Sequence, residues 1–348
     1  MSPPAPALPA PTSVEDLEVH LSEPSAAAVA ALRDCPGDLV ILGAGGKMGP
    51  SLSRMARRAA DAAGLARRVI AVSRFTSPGV ADALAAHGVE AIRADLADPD
   101  AWARLPEAPL VLYMAGQKFG TSDAPGRTWF TNTVVPALAA ARYRASRIVA
   151  FSTGNVYPLV PVSSGGSREG DPPSPVGEYA MSCLGRERVF EYAATTWGTA
   201  STILRLNYAV DLRYGVLVDI AQRILRGEPV DLRMGYVNCI WQGDANAAAL
   251  CAFAKCATPP RVLNLTGPRV LRVRDVATTL AERLGCPVTF AREEAPDALL
   301  SNTDALQGLW GAPSVDMDTL IGWVASWLAG GGPTSGKATR FEQREGAF

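Results

Sequence analysis

The sequence contains very little histidine and no closely paired cysteines. Only two histidines, His20 and His87, occur among its 348 residues, and they provide too few ligands for a histidine-based zinc site. The six cysteines show no C-x-x-C spacing of the kind that holds a metal. We therefore expect no metal centre, and the scarcity of histidine disfavours chemistry of the Ser-His-Asp type.

Net charge and long hydrophobic runs are also lacking. The 33 basic residues nearly balance the 34 acidic ones, so no net field favours a nucleic acid or an anionic membrane surface as partner. Apolar runs such as Leu39–Leu42 end long before the roughly 20 residues of a membrane helix. Residues 1–11 lack the basic start and apolar stretch of a signal peptide, which predicts a cytoplasmic protein without disulfides.

The chain is long and apolar enough for about two domains. It has 348 residues, of which 48% are hydrophobic, whereas a typical domain has roughly 150 residues. The Pro/Ala-rich residues 1–12 and the residues 330–348, which begin with three glycines, predict loose tails. A Ser-x-x-Asp start at Ser13 and helical apolar spacing predict a helical extension over 13–36.

Residues 37–206 alternate between short apolar runs and helical stretches. Runs of Val, Ile and Leu without polar alternation are typical of parallel strands that are covered on both faces. The pattern predicts a doubly wound, Rossmann-type α/β domain with strands at 39–42, 69–72, 90–94, 110–115, 147–152 and 202–206 and helices at 50–63, 80–87, 102–105, 130–143 and 179–196. A looser pattern over 207–329 predicts a smaller substrate lobe containing apolar segments at 216–225, 246–253, 262–265, 276–284 and 317–328.

A glycine-rich loop follows the first predicted strand directly. Gly43, Gly46 and Gly49 form a G-x-x-G-x-x-G motif that opens a helix. In a dinucleotide-binding fold, such glycines make the tight turn, admit a pyrophosphate and let the helix pack on the strand, while the helix N-terminus attracts the anion. We assign the three glycines, with Lys47 and Met48 between them, to cofactor binding; the alternative is a plain strand-helix turn.

The end of the second predicted strand bears on the choice between NADP and NAD. A fold that binds NAD would place an acidic residue there for the ribose 2′-hydroxyl, but the sequence has Ser73 and Arg74. Ser73 can donate to a 2′-phosphate and Arg74 can pair with it, which favours NADP and leaves NAD possible. The alternative is that Arg74 stacks on the adenine or faces solvent. Asp95 and Leu96, after the third strand, would lie beside the adenine.

Together these motifs resemble the extended short-chain dehydrogenase/reductase superfamily, in its NAD-dependent epimerase/dehydratase-like branch. The resemblance runs from about Gly37 to Leu328, and its marks are Gly43/Gly46/Gly49, Asp95-Leu96, Tyr113-Met-Ala-Gly116, Asn132, Ser152-Thr-Gly-Asn-Val-Tyr157, Tyr179, Ile203-Leu-Arg-Leu-Asn207, Asn238-Cys-Ile-Trp-Gln-Gly-Asp244 and Val262-Leu-Asn-Leu-Thr-Gly267. It implies that Ala115, Gly116 and Asn132 also lie at the cofactor. It further implies that Thr153 binds the reacting oxygen and that Tyr179 transfers the proton.

One position departs from that family pattern. The family usually has a lysine four residues after the tyrosine, where this sequence has Cys183. The resemblance implies that this lysine binds the cofactor ribose and lowers the tyrosine pKa. Moving a phenol pKa from about 10 to about 7 takes roughly 4 kcal/mol of preferential phenolate stabilisation, which a neutral thiol does not supply. Either Tyr179 is a weaker acid/base, another cation substitutes, or hydride chemistry is lost.

The remaining candidates are lysines and pocket residues. Lysine occurs only four times, and Lys118 follows the fourth strand at the expected ligand crevice; it is the candidate replacement cation and substrate clamp, or else a solvated loop lysine. Lys47 is a candidate phosphate contact with the same alternative. We interpret Cys183 as a buried packing residue rather than a nucleophile.

The substrate is expected to be small. By resemblance, relatives that act on nucleotide sugars carry an arginine before the second-lobe aspartate motif, but residues 236–242 contain none. This favours a small polar substrate, uncharged or singly charged, with Asn155, Asn207, Trp241 and Lys118 as pocket residues. The alternative for Trp241 is packing between the lobes.

The sequence thus predicts an NAD(P)-dependent oxidoreductase or epimerase with Thr153, Tyr179 and Lys118 as catalytic residues. It would act on an alcohol/carbonyl group of a small sugar-derived or other polar substrate. The alternative is a non-catalytic NADP(H)-binding sensor or scaffold, which the missing lysine permits. By resemblance we also expect a homodimer through the helices at 130–143 and 179–196, whose apolar positions beyond one face include Val134, Val135, Leu138, Val189, Phe190 and Tyr192.

Overall fold

The computed structural model describes residues 9–347, so most of the tail predicted over 1–12 lies outside the described residues. The α-helices are α1 (Val14–Leu21), α2 (Ala26–Asp34), α3 (Gly49–Ala62), α4 (Val80–Ala86), α5 (Pro125–Trp129), α6 (Val135–Arg142), α7 (Gly177–Trp197), α8 (Val216–Leu225), α9 (Gln242–Cys251), α10 (Val273–Leu284), α11 (Asp304–Trp310) and α12 (Met317–Ala329). The strands are β1 (Leu39–Leu42), β2 (Val69–Ser73), β3 (Glu90–Arg93), β4 (Leu110–Tyr113), β5 (Arg147–Thr153), β6 (Val160–Pro161), β7 (Ser201–Leu206), β8 (Ala209–Val210), β9 (Val230–Asp231), β10 (Tyr236–Val237), β11 (Ile240–Trp241), β12 (Arg261–Leu265), β13 (Leu271–Arg272), β14 (Phe290–Ala291) and β15 (Asp297–Ala298).

Seven strands form one parallel sheet in the order β12-β7-β5-β4-β1-β2-β3. The Rossmann-type fold class is confirmed, because the order reverses between β1 and β4 and so opens a ligand crevice at the carboxyl edge of the sheet. Register places Leu39 beside both Val69 and Leu110. The six predicted strands all belong to this sheet, and β12 extends it beyond β7.

The continuous apolar strands are buried on both faces of the sheet, as their composition predicts. Leu39 and Ile41 pack on one side with α2, α3 and α9, whereas Val40 and Leu42 pack on the other side with α6 and α7. Helices cover both faces of the strands and exclude water from them. Polar side chains that can contact a ligand therefore lie at the strand ends. A third cluster forms the core of the second lobe around α8, α10 and α12.

Two segments assigned to the second lobe belong instead to the first domain. β12 is an edge strand of the central sheet, and α9 packs against α2 and α3. The predicted division at residue 207 is therefore too simple, because the chain returns to the Rossmann domain after building part of the second lobe. Short apolar runs do not reveal which of two cores they enter.

Two of the predicted helices have a different local form. The segment 99–104 is a 3₁₀ helix rather than an α-helix. The helix predicted over 130–143 begins earlier, at Pro125, and passes through a π-helical turn at Phe130–Val134 that contains Asn132. Such π turns are frequent at functional sites because they redirect a side chain.

The N-terminal helices form where the sequence predicts them. The hydroxyl of Ser13 accepts a hydrogen bond from the Asp16 N–H at 3.0 Å and caps α1. Leu17 and Leu21 of α1 enter the core of the second lobe, whereas Leu32 of α2 enters the core of the first domain. The extension therefore packs against both.

The segment after α12 is not the loose tail that its glycines predict. Residues 331–347 run along the second lobe, where Phe341 is 3% exposed and Thr339 is 2% exposed. Both the N–H and the hydroxyl of Thr339 donate to Asp219, at 2.7 and 2.5 Å. Gly346 reaches the N-terminus of α7 at Gly177. The sequence prediction failed here because the segment is held by hydrogen bonds and ion pairs rather than by an apolar pattern. We call residues 331–347 the C-terminal strap.

Candidate functional site

The glycine loop between β1 and α3 is sterically constrained at both ends. Gly43 has φ of +89°, and a Cβ there would lie 2.6 Å from the Ala115 nitrogen. A Cβ on Gly49 would overlap the backbone of Ala44. At Gly46 the nearest atom to an added Cβ is the Gly43 carbonyl oxygen, at 3.5 Å. The chain itself thus leaves room for a side chain at Gly46, and the open space there faces the crevice.

Two cavities adjoin at this loop. One, of about 300 Å³, reaches Thr153 and Tyr179, and the other, of about 1080 Å³, reaches the loop after β2 at Thr76 and Ser77. They share the lining residues Gly46, Lys47, Gly116, Lys118 and Tyr214. The result is one continuous cleft along the carboxyl edge of the sheet, and we call its two parts the inner and the outer cavity.

Thr153 and Tyr179 meet in the inner cavity. Thr153 is the last residue of β5, and Tyr179 lies in the first turn of α7; both line this cavity, and the Thr153 side chain acts to lower the pKa of the Tyr179 phenol. The Thr153 hydroxyl also accepts from the backbone N–H and the side-chain amide of Asn155, at 3.2 and 3.0 Å. The two residues that the sequence singles out therefore line the same open space.

The surroundings of Tyr179 oppose its ionisation. Burial raises the pKa of the Tyr179 phenol well above its ordinary range, and neighbouring Cys183 raises it further, whereas Thr153 and Arg186 act in the opposite direction. Cys183 is fully buried among Val156 and Tyr157, and burial raises the pKa of its thiol as well. At neutral pH both groups keep their protons.

The two candidate lysines reach the cleft in different ways. The ammonium of Lys118 donates to the Thr339 carbonyl of the C-terminal strap at 3.1 Å, and burial lowers the pKa of Lys118 to about 8. Lys47 donates to the Ala209 carbonyl at 3.2 Å and lies 4.0 Å from the centre of the Tyr214 ring. Lys47 therefore connects the glycine loop to the second lobe.

A buried cation that the sequence reading missed also lines the inner cavity. Arg186 of α7 is 6% exposed and donates to the Phe151 carbonyl at 2.9 Å and to the Asn132 side chain at 2.8 Å. Burial opposes its charge, but neighbouring groups, Cys183 and Tyr179 among them, hold the pKa of Arg186 above its ordinary value. Its position seven residues after Tyr179, two helical turns along the same face, was the signal available in the sequence.

The predicted cofactor residues occupy different parts of the cleft. Met48 and Gly116 line the inner cavity, and the Ser73 hydroxyl lies 2.6 Å from where a Cβ on Gly45 would stand. Arg74 is exposed at the end of β2. The amide of Asn132 bonds both backbone groups of Gln117, at 2.9 and 3.0 Å, and so fixes the loop after β4.

The residues predicted beside the adenine stand at the end of β3. The Asp95 carboxylate accepts from the Ala97 N–H at 3.0 Å and shapes its own turn, while Leu96 is buried beneath Trp102. Ala115 packs against Gly43. The place of these three residues beside the cofactor stays a prediction.

Of the predicted pocket residues, Asn155 and Asn207 line the inner cavity. Asn207 is held there by a 2.9 Å hydrogen bond from its amide to Asn238. Trp241 does not belong with them: it is 2% exposed in the core of the second lobe, with its ring 5.4 Å from that of Trp323. Its assignment to the substrate pocket is corrected to packing, because its large apolar surface is already covered.

Two absences hold for the part of the chain that the structure describes. Residues 9–347 include no helix with the length and apolar composition needed to cross a membrane. The same residues bring together no group of three or more His, Cys, Asp or Glu side chains that could hold a metal ion.

Solved structures of sugar-nucleotide enzymes have the same architecture. UDP-glucose 4-epimerase from Thermotoga maritima, solved with UDP-glucose, is 18% identical, with a TM-score of 0.67 over 84% of this chain and 98% of that one. UDP-glucuronic acid 4-epimerase from Bacillus cereus, solved with NAD, is 17% identical, with a TM-score of 0.71 over 84% and 98%. dTDP-glucose 4,6-dehydratase from Streptomyces venezuelae, also with NAD, is 20% identical, with a TM-score of 0.69 over 83% and 96%. Identities this low establish a shared fold.

The family itself is established by sequence. The search of curated proteins gave no match, but the profile of the NAD dependent epimerase/dehydratase family matches residues 39–232, more than half of the 348 residues. The chain belongs to this family.

Proposed function

We propose that this protein is an NADP-dependent oxidoreductase that acts on an alcohol/carbonyl pair in a small sugar-derived or other polar substrate. The observation that carries this proposal is that Thr153 and Tyr179 line one cavity together with Gly43 and Gly46 of the glycine loop. Epimerisation by transient oxidation at the same pair is the nearest variant. The cytoplasmic location expected from the sequence stays a prediction.

The cleft suits a dinucleotide in shape and chemistry. The free space over Gly46 and the N-terminus of the 14-residue helix α3 provide a cradle for a pyrophosphate. The outer cavity reaches the loop after β2 at Thr76 and Ser77, two residues beyond Arg74, and the inner cavity reaches Tyr179. Residues that would hold the cofactor are therefore Gly43, Gly46, Met48, Ser73, Arg74 and Gly116, together with Lys47.

The chain's own residues would handle the substrate oxygen and its proton. The cofactor, when bound, donates or accepts the hydride. Thr153 and Tyr179 hold the reacting oxygen between their hydroxyls, and Tyr179 passes the proton to or from it. Asn155 keeps the Thr153 hydroxyl oriented through two hydrogen bonds. Asn207 and Lys118, which line the same cavity, offer polar contacts to the rest of a small substrate.

Cofactor preference gives a direct test. Since Ser73 and Arg74 stand where an NAD-binding fold would have an acid, calorimetry should show NADP⁺ binding at least several-fold tighter than NAD⁺. Arg74→Asp should weaken NADP⁺ binding roughly ten- to hundred-fold, the scale of one charged phosphate contact. Arg226→Asp, a change at an exposed arginine on the second lobe, is the control. Equal affinity of the unmodified chain for both nucleotides would contradict the assignment.

We also propose a homodimer through α5, α6 and α7. Trp129, Val134, Tyr192 and Trp197 of this face are between 38% and 60% exposed. The face is more limited than predicted, because Val135 and Phe190 point into the chain's own core.

Light scattering of the unmodified chain at micromolar concentration should give a dimer mass. Val134→Glu combined with Tyr192→Glu should give a monomer, since two carboxylates would have to be buried at the interface. Leu225→Glu, an equally exposed apolar position on α8 at 45%, should leave the dimer intact. A monomer mass for the unmodified chain is the contrary result.

The non-catalytic alternative retains one supporting observation. The raised pKa of Tyr179 and the neutral thiol of Cys183 beside it are the opposite of an activated phenol. A protein that binds NADP(H) as a sensor or scaffold is compatible with this environment, and removal of the Tyr179 hydroxyl, described in the Discussion, separates the two functions.

A further inference from the structure

One face of α7 carries Tyr179, Cys183 and Arg186. Their spacing of four and then three residues places them in a row along the helix. The family resemblance predicts a lysine at the middle position, where this chain has a fully buried neutral thiol. The ammonium expected next to the phenol is therefore missing from that position, and the next residue along the row is a guanidinium.

The geometry of an α-helix lets the Arg186 side chain reach the turn before its own, where Cys183 lies. Side chains on a helix tilt towards the N-terminus, so a long residue covers the preceding turn, about 5 Å away. The two terminal nitrogens of Arg186 are anchored at Phe151 and Asn132, and Arg186 lines the same cavity as Tyr179. The shorter side chain of Cys183 leaves that path clear.

A glycine in the loop after β4 leaves the space for this guanidinium. A Cβ on Gly116 would lie 2.5 Å from an Arg186 terminal nitrogen and 3.2 Å from the Asn132 side-chain oxygen. Glycine at 116 thus lets the backbone after β4 pass directly against the cation. The Arg186 Nε is buried and has no hydrogen-bond partner within residues 9–347, which leaves one donor of the group unused by the fold.

The positive charge of Arg186 is not neutralised by an ion pair. Within the described chain no carboxylate lies at salt-bridge distance from it. The adjacent Glu187 forms its ion pair with Arg205, with 2.7 Å between Oε2 and Nη2. The other titratable groups that line the inner cavity are Lys47, Lys118, Tyr208 and Tyr214. Among the cations, Lys118 has a pKa of about 8 and is partly neutral near that pH, whereas a guanidinium keeps its charge throughout.

We propose that Arg186 replaces the family lysine from one helical turn further along α7 and stabilises the phenolate of Tyr179. It is a positioning residue, because it acts on the substrate oxygen through Tyr179. The inference rests on the proposed function. The effect of the Arg186 charge on the ionisation of Tyr179 can nevertheless be measured without any substrate.

The test follows the ionisation of Tyr179 directly. Incorporation of 3,5-difluorotyrosine at position 179 acidifies the phenol into a measurable range, and its ¹⁹F signal reports that ring alone. Titrations are run on the full chain, with and without NADP⁺, in the parent and in Arg186→Met, Arg186→Gln, Arg186→Lys and Lys118→Met. Arg186→Gln removes the charge while keeping an amide donor for Asn132 or Phe151, so a folded neutral variant remains if Arg186→Met unfolds.

Loss of the Arg186 charge should raise the pKa of the fluorinated phenol by about one to three units, the effect of removing a nearby opposite charge. Arg186→Lys should retain most of the effect. Cys183→Lys combined with Arg186→Gln should restore the parent titration by returning the cation to the family position. An unchanged titration in folded Arg186→Gln, or a larger rise in Lys118→Met, would overturn the proposal. Failure to bind NADP⁺ would instead count against the proposed function.

Discussion

Tyr179→Phe should reduce NADPH-dependent carbonyl reduction by at least about 10²-fold, the usual scale for a proton-transferring group. The substitution removes only the hydroxyl of a side chain that lines the inner cavity with Thr153, so calorimetry should show NADP⁺ binding nearly unchanged. The measurement is NADPH consumption with a panel of aldehydes, ketones and keto sugars. Tyr192→Phe, which alters a 60% exposed tyrosine on the same helix, should keep full activity.

The pH dependence of the two directions should differ. Carbonyl reduction needs the protonated phenol of Tyr179, whereas alcohol oxidation needs the phenolate. Because the pKa of Tyr179 is raised, the phenol dominates at neutral pH, so reduction should stay level there while oxidation rises about tenfold per pH unit. Initial rates in both directions check this. If Tyr179→Phe leaves turnover intact, the phenol does not carry the chemistry and the sensor function becomes the better proposal.

Glu187→Ala should destabilise the protein by about 3–5 kcal/mol, because it leaves the buried guanidinium of Arg205 without its counter-ion. The carboxylate of Glu187 is 1% exposed, receives Arg205 at 3.0 and 2.7 Å, and accepts from the Ser152 hydroxyl at 2.5 Å. Arg205 also donates to Tyr157 at 2.6 Å. The ion pair therefore joins α7 to β7, and urea unfolding is the measurement.

Two variants control for this effect. Glu191 lies four residues after Glu187 on α7 and forms an exposed ion pair with Arg188. Glu191→Ala breaks this pair and should lower the free energy of unfolding by less than about 1 kcal/mol. Glu187→Leu combined with Arg205→Leu removes both buried charges and should recover much of the loss. A Glu187→Ala variant that unfolds at the same urea concentration as the parent would show that the pair adds little to stability.

The sequence predicts the fold well where one physical rule dominates. β1 and β4 are continuous apolar runs, and burial on both faces leaves a parallel sheet as the natural arrangement for them. The glycine loop and the Thr153–Tyr179 pair are also predictable, because their residue types are restricted at defined strand and helix ends. By contrast, the sequence predicts 262–265 in the second lobe, because so short a segment contains no information about which sheet it joins.

The missed parts of the site depend on contacts between distant residues. Arg186 is hard to predict because the family pattern has a lysine as the cation, although helical spacing places an arginine on the same face. Thr339 was overlooked because its segment has the composition of a flexible tail, and its order comes from Asp219, more than a hundred residues away. Such polar contacts leave no periodic pattern in the sequence.

The path of the C-terminal strap also has a consequence for synthesis of the protein. Thr339 lines the same inner cavity as Gly43 of the first strand–helix loop, and Gly346 lies against Gly177 at the start of α7. A nascent chain on the ribosome can build the sheet from β1 to β7 before residue 339 has been made, but it cannot complete this cavity. The inner cavity therefore begins as an open crevice, and it is completed only when the strap has been made.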